Sequence, residues 1–153
     1  MLFHAALLEV VLSLGLTTPT GFLYSQLSCL SEAVYFEARS EPIAGQFAVE
    51  NVIINRTLDP KYPDSICEVV HQKHQFSYRK KVKTHTVDLS NHKVREMLER
   101  VVVNSYLALA YGLNDNTKGS IMFLNPKIAK YRFKKHKTIA VAHIGNHLFY
   151  APN

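Results

Sequence analysis

Apolar side chains return every three or four positions along residues 29–39, the interval at which a helix gathers them on one face. Ser28 is placed to cap that helix, and Ser40-Glu41-Pro42 breaks it. The same spacing predicts a second helix over 43–57, with Phe47, Val49, Val52 and Ile53 inward. Asp59-Pro60 and Tyr62-Pro63-Asp64 form a turn-rich connection to a short helix over 65–72. The next stretch, HQKHQFSYRKKVKTHTVDLSN, is charged and weakly periodic, and reads as an extended surface loop. Ser90 or Asn91 then caps a long helix over 92–111, with Val94, Met97, Leu98, Val101, Ser105, Ala108 and Leu109 inward and Gly112 at its end. Beyond it the pattern shortens. Residues 120–125, 138–143 and 147–150 read as strands separated by basic loops and the Gly145-Asn146 turn. The class is α+β, a mainly helical domain with a small antiparallel sheet toward the C-terminus.

The first sixteen residues, MLFHAALLEVVLSLGL, fit two readings. One is an amphipathic helix packed on the domain. The other is a targeting segment or signal anchor, although no Lys or Arg precedes Arg39, Glu9 interrupts the run, and the run is short for a bilayer span. Residues 1–20 are therefore set apart as an N-terminal helix or weak targeting segment, and 21–153 as one catalytic domain.

The helical wheel also sorts the acids. With Leu30 at the centre of its stripe, Ala33 and Val34 fall on either side, and Glu37 lies within about 20° of centre. A carboxylate on an apolar stripe is costly to ionise unless paired, and it responds by raising its pKa. The plainer alternative is a glutamate at the stripe's edge, tied to Arg56, a lysine or a backbone cap. Glu32 and Arg39 point the opposite way, toward water. Glu41 ends the helix and can approach Glu37 from a neighbouring turn.

The chain's 153 residues suffice for one domain with a real core. Its formal charge of +6 is uneven: residues 1–60 hold two basic and six acidic side chains, residues 61–153 sixteen and six. A basic half suits an anionic polymer, whether nucleic acid, membrane surface or cell wall. Cys29 and Cys67 are either a disulfide in an exported protein or two small buried hydrophobes in a cytosolic one. Eight histidines include His71-x2-His74 and His143-x3-His147, spacings that zinc can use, but H-E-x-x-H is absent and no metal or other cofactor is expected. There is no G-x-S-x-G elbow and no phosphate loop. What remains is carboxylate chemistry. A glutamate in apolar surroundings beside a polar groove is what a glycosidic general acid needs. Ordinary glycoside hydrolysis also asks for a second carboxylate, for which Glu41, Glu50 and Asp64 are candidates.

Several segments resemble the cell-wall hydrolase family of the spore cortex-lytic enzymes. They are Glu37-Ala38-Arg39-Ser40-Glu41-Pro42, Gly45-Gln46-Phe47-Ala48-Val49, Ile54-Asn55-Arg56, Phe123-Leu124-Asn125-Pro126 and Ile144-Gly145-Asn146-His147-Leu148-Phe149. They run in the family's order. Ser40 stands where the family has glycine, and residues 73–95 and 127–137 match none of its motifs. The resemblance implies a lysozyme-like domain acting on peptidoglycan glycan strands as a lytic transglycosylase. Glu37 would be the one acid and base, so no carboxylate nucleophile is required. It also favours a Cys29–Cys67 disulfide and action at the cell wall, periplasmic or extracellular, with a phage lysin as one origin that needs no export signal. For sugar contacts the candidates are Gln75, Phe76 and Ser77, after the third helix, and Asn125. The plainer roles are core for Phe76, a turn for Ser77 and a cap before Pro126 for Asn125. The expected partner is peptidoglycan, met by a monomer whose N-terminal run can touch a membrane transiently. A non-catalytic wall-binding module is the alternative. Nucleic acid is not expected, because no recognised motif accompanies the charge.

Overall fold

A computed structural model describes residues 1–17, 21–81, 85–112, 114–129 and 137–153. Parts of the two basic stretches, 82–84 and 130–136, lie outside the described residues.

The fold is built around α2, Phe22–Ala38, whose buried residues run almost unbroken from Gln26 to Tyr35. A helix covered on nearly every side belongs in the middle of a bundle, and α2 packs on α1 (Phe3–Ser13), α3 (Ile43–Leu58), α4 (Ile66–His71) and α6 (His92–Tyr111). It begins seven residues before the expected cap: Gly21, at φ +58°, starts it, and Ser28 is buried within it. The stripe that centres on Leu30 simply extends back through Leu27 and Leu23.

α1 belongs to the same core. Phe3, Ala6, Leu7, Val10 and Val11 have no exposed surface, and Phe3 sits 5.8 Å from the Tyr35 ring and 5.9 Å from Phe36. Glu9, which interrupts the apolar run, lies on the outer side and pairs with Arg95 of α6 at 2.7 Å. No described helix is long and apolar enough to cross a membrane.

Two caps act as their chemistry predicts. The Asn91 side chain accepts from the backbone N–H groups of Lys93 and Val94, and Ser65 accepts from that of Glu68.

Residues 71–91 depart from the expected surface loop. Phe76, Tyr78, Val87 and Leu89 are buried, and α5 (Tyr78–Lys81) adds a turn of helix. The cause is tertiary. Backbone pairing with the N-terminus, Phe3 N–H to His85 O at 2.7 Å and Val87 N–H to Met1 O at 2.9 Å, holds this segment on the core.

Three strands follow: β1 (Met122–Leu124), β2 (Thr138–Ile144) and β3 (His147–Pro152), all antiparallel in the order β1-β3-β2. Phe149, on the central strand, packs against Ala48 and Val52 of α3. That contact fixes the sheet against the helices and puts its β2–β3 turn beside the end of α2.

Candidate active site

Glu37 stands one residue before the end of α2 and lines two adjoining cavities, of about 340 and 250 Å³. Phe36, Glu37 and the turn at Ser40-Glu41 form one side of this groove. Gln75, Ser77 and Tyr78 form a second, while Phe123 and Leu124 of β1, with Asn125 and Ile128, form a third. Arg56 and His147 complete the lining. Three of the expected sugar contacts, Gln75, Ser77 and Asn125, thus share one groove with Glu37.

Phe76 does not share it. It is only 3% exposed, with the Arg56 guanidinium over its ring at 5.5 Å and Tyr78 beside it at 6.3 Å. Positions 75–78 alternate outward and inward, so the expectation that Phe76 meets a sugar face is corrected to a core role. The aromatic surface of the groove comes instead from Phe36, backed by the buried Tyr78 ring stacked 5.1 Å away with 15° between the planes. Asn125 lines the groove, and its side-chain oxygen accepts from the Lys127 N–H at 2.9 Å, as the capping role expects.

The other carboxylates are held in contrasting ways. Glu41 lines the groove but is 7% exposed, and it accepts from the Asn146 backbone N–H at 2.9 Å and side-chain amide at 3.0 Å. Burial alone would raise its pKa. The Asn146 bonds, with the charges of His147 and Lys127, outweigh burial and hold the carboxyl below the usual range. Gly145, at φ +59°, lets the β2–β3 turn close on it, because a Cβ there would run into the Glu41 carboxylate.

Glu50 lies in the core with no exposed surface. Burial raises its pKa to about 8 against the pull of the Ser105 hydroxyl, which donates to it at 2.9 Å. Asp64 is exposed and does not line the groove.

Two residues differ from what the wheel and the spacing suggest. Glu32, expected in water, is 5% exposed. It accepts from the Tyr78 hydroxyl at 3.1 Å and lies 2.9 Å from His85 Nδ1 and 3.5 Å from Arg79. Those partners come from 78–85, which a wheel of α2 cannot see. Spacing marks His147 only as one of a histidine pair, yet it is buried on the groove, its ring edge-on to Phe123. Burial lowers its pKa while the Glu41 charge pulls the other way, leaving a neutral imidazole near pH 7. Among the described residues, no three His, Cys, Asp or Glu side chains gather as a metal site.

The Cys29–Cys67 disulfide joins α2 to α4, upstream of the wall formed by 75–78. The thiols are therefore oxidised, which of the two open readings is the one associated with export.

The comparisons bear on the same region. The spore cortex-lytic enzyme of Bacillus subtilis (strain 168) is 41% identical over 59 residues, 39% of this chain and 19% of that protein. The spore cortex-lytic enzyme of Halalkalibacterium halodurans is 39% identical over 59 residues, 39% of this chain and 18% of that protein. The matched stretch is thus under a fifth of either relative's length. Among solved structures, the catalytic domain of the germination-specific lytic transglycosylase SleB from Bacillus anthracis superposes with a TM-score of 0.62 at 24% identity, covering 86% of this chain and 98% of that one. The Bacillus cereus SleB catalytic domain gives 0.59 at 23%, covering 86% and 94%. These two neighbours establish the shared fold, helices with a small C-terminal sheet. The family model described as Cell Wall Hydrolase matches residues 40–150, starting three positions after Glu37 and taking in the groove residues from Ser40 to His147, so the chain belongs to the cell wall hydrolase family.

Proposed function

We propose that this chain degrades peptidoglycan by cleaving the glycosidic bond between N-acetylmuramic acid and N-acetylglucosamine as a lytic transglycosylase, with Glu37 as the acid and then the base. The observation that carries this reading is the inequality of the two carboxylates in the groove. Glu41 already accepts two bonds from Asn146, whereas Glu37 lines both cavities where a sugar chain would lie. A retaining hydrolase needs a second carboxylate about 5–5.5 Å from the first to act as nucleophile. A transglycosylase needs none. Glu37 gives its proton to the leaving oxygen as the C1–O bond breaks. It then takes the proton of the muramic C6 hydroxyl, whose oxygen closes on C1 to form the anhydro ring. Gln75, Ser77 and Asn125 supply amide and hydroxyl partners for the sugar, and Phe36 an aromatic face. The SleB neighbour from Bacillus anthracis is a lytic transglycosylase, which supports the same chemistry by analogy. The place of action would be the cell wall, reached by a monomer.

Mass spectrometry of the products from purified peptidoglycan, for wild type and Glu37→Gln side by side, tests this. Anhydro-muramic ends from the wild type, falling at least about a thousandfold in Glu37→Gln, are expected. Reducing ends instead would make the enzyme a muramidase-type hydrolase and turn attention to Glu41. Binding without cleavage by either protein would reduce the chain to a wall-binding module.

A further inference from the structure

The groove does not stop at Phe36. A third cleft, of about 400 Å³, shares Phe36 and Arg39 with the Glu37 cavity and runs on between the end of α2, residues 86–88 and the first turns of α6. Val87, Val94 and Met97 give it an apolar wall, and Asp88 lies at its edge.

Arg39 sits where the cleft meets the groove. Its guanidinium lies over the Tyr35 ring at 5.0 Å and the Phe36 ring at 5.8 Å. Among the described residues no carboxylate lies within ion-pair distance of it. A second guanidinium, that of Arg100, donates to the Arg39 carbonyl at 3.4 Å, so positive charge is doubled at this rim. Asp88 makes no ion pair with it; its Oδ1 instead accepts from the Ser90 hydroxyl at 2.6 Å and the Ser90 N–H at 3.0 Å. A planar cation stacked on two rings, with its N–H edge unspent, suits a carboxylate gripped by two parallel bonds. A glycan stripped of its peptides calls for less: its hydroxyls need no fixed cation, and the lactyl carboxylate of N-acetylmuramic acid, held close to the ring, needs no apolar wall.

We infer that this cleft binds a carboxylate-bearing peptide substituent of the glycan. Arg39 takes the carboxylate, and Val87, Val94 and Met97 take the peptide's small aliphatic side chains. The inference rests on the glycan-cleaving reading above and deepens it. A sugar seated at Glu37 has a path past Phe36 by which its substituent can enter this cleft. Arg39 thereby becomes a specificity residue that distinguishes peptide-bearing strands from naked ones.

The experiment is calorimetric binding in the Glu37→Gln background, where nothing is cut, to three soluble, uncrosslinked glycan preparations of matched length. One carries its peptides, one has had them removed by an amidase and the lactyl carboxyls so exposed capped as methylamides, and one carries them with carboxyls capped as methylamides. The peptide-bearing strands should bind about three- to tenfold more tightly than either of the others. Adding Arg39→Gln should bring all three within about twofold, with Arg39→Lys between. Lys61→Gln, which removes the same charge from an exposed position outside the groove, should leave the preference in place. Equal affinities in the parent, or a preference that survives Arg39→Gln, would overturn the proposal. Failure of the underlying reading looks different: none of the three strands binds or, with Glu37 restored, is cut, and the subsite falls with it.

Discussion

At the scale of single residues, one functional group takes three characters in this molecule. Glu37 faces the groove, Glu41 is closed under Asn146, and Glu50 is sealed beside Ser105. Glu41→Ala removes the buried acceptor of two part-buried bonds from Asn146 and should lower the melting temperature by roughly 2–8 °C, readable by calorimetry. The stability Glu41 contributes is complete above the ordinary carboxyl pKa and is lost as pH falls through its depressed folded value. Glu50 acts in the opposite sense. Its folded pKa of about 8 lies above the unfolded one, so the unfolded state ionises first and stability falls as pH rises from the ordinary carboxyl range to about 8. Glu50→Gln keeps the Ser105 partner without the charge. Denaturant titrations should find the variant little changed at pH 4.5 and increasingly the more stable toward pH 8. The advantage should grow by about 1.4 kcal/mol for each tenfold fall in proton concentration across that window. Glu37 was legible because an acid on an apolar stripe is conspicuous within one helix. The burial of Glu32 and Glu41 was not, because their partners Tyr78, His85 and Asn146 are contributed by distant segments.

Among the elements, the helices α3, α4 and α6 follow their periodicity and caps to within a residue or two of expectation. α2 does not, because its first two turns are read correctly only once Leu23 and Leu27 are known to lie beside Tyr106 and Leu109 of α6. The segment 71–91 misled for a related reason: its buried residues alternate at short range, a pattern hidden by the lysines and histidines between them. The element-level staple is the disulfide. Closing a loop across a separation of 38 residues is worth about 4 kcal/mol in the chain-entropy model, so the Cys29→Ser, Cys67→Ser double variant should melt roughly 8–16 °C lower. A fall of a degree or two would mean that α4 is already held by its packing. Because α4 leads into Gln75 and Ser77, the reduced protein should lose binding to glycan before it loses helix content, a separation that circular dichroism and calorimetry together would show.

In the molecule as a whole, charge and topology divide the work. Of the two basic residues before position 61, Arg39 sits at the groove's rim and Arg56 lines it, whereas the rest of the positive charge lies in the C-terminal portion. Attraction to an anionic wall is then diffuse and screened by salt, while the grip at Arg39 is local. Co-sedimentation with intact wall should weaken steadily as ionic strength rises through the range where the Debye length shrinks from about 30 to 8 Å. A salt-independent affinity would mean that the basic half is merely solvated.

The bond between Glu41 and Asn146 spans 105 positions, and it has a consequence for how the molecule is made. A ribosome adding about 5–20 residues per second releases the helix that bears Glu37 roughly 5–20 s before the turn that closes over Glu41. Through that interval the nascent chain carries its acid without a groove around it. A message broken short of β3 would yield helices able to fold in part, with no enclosure in which a sugar could be held.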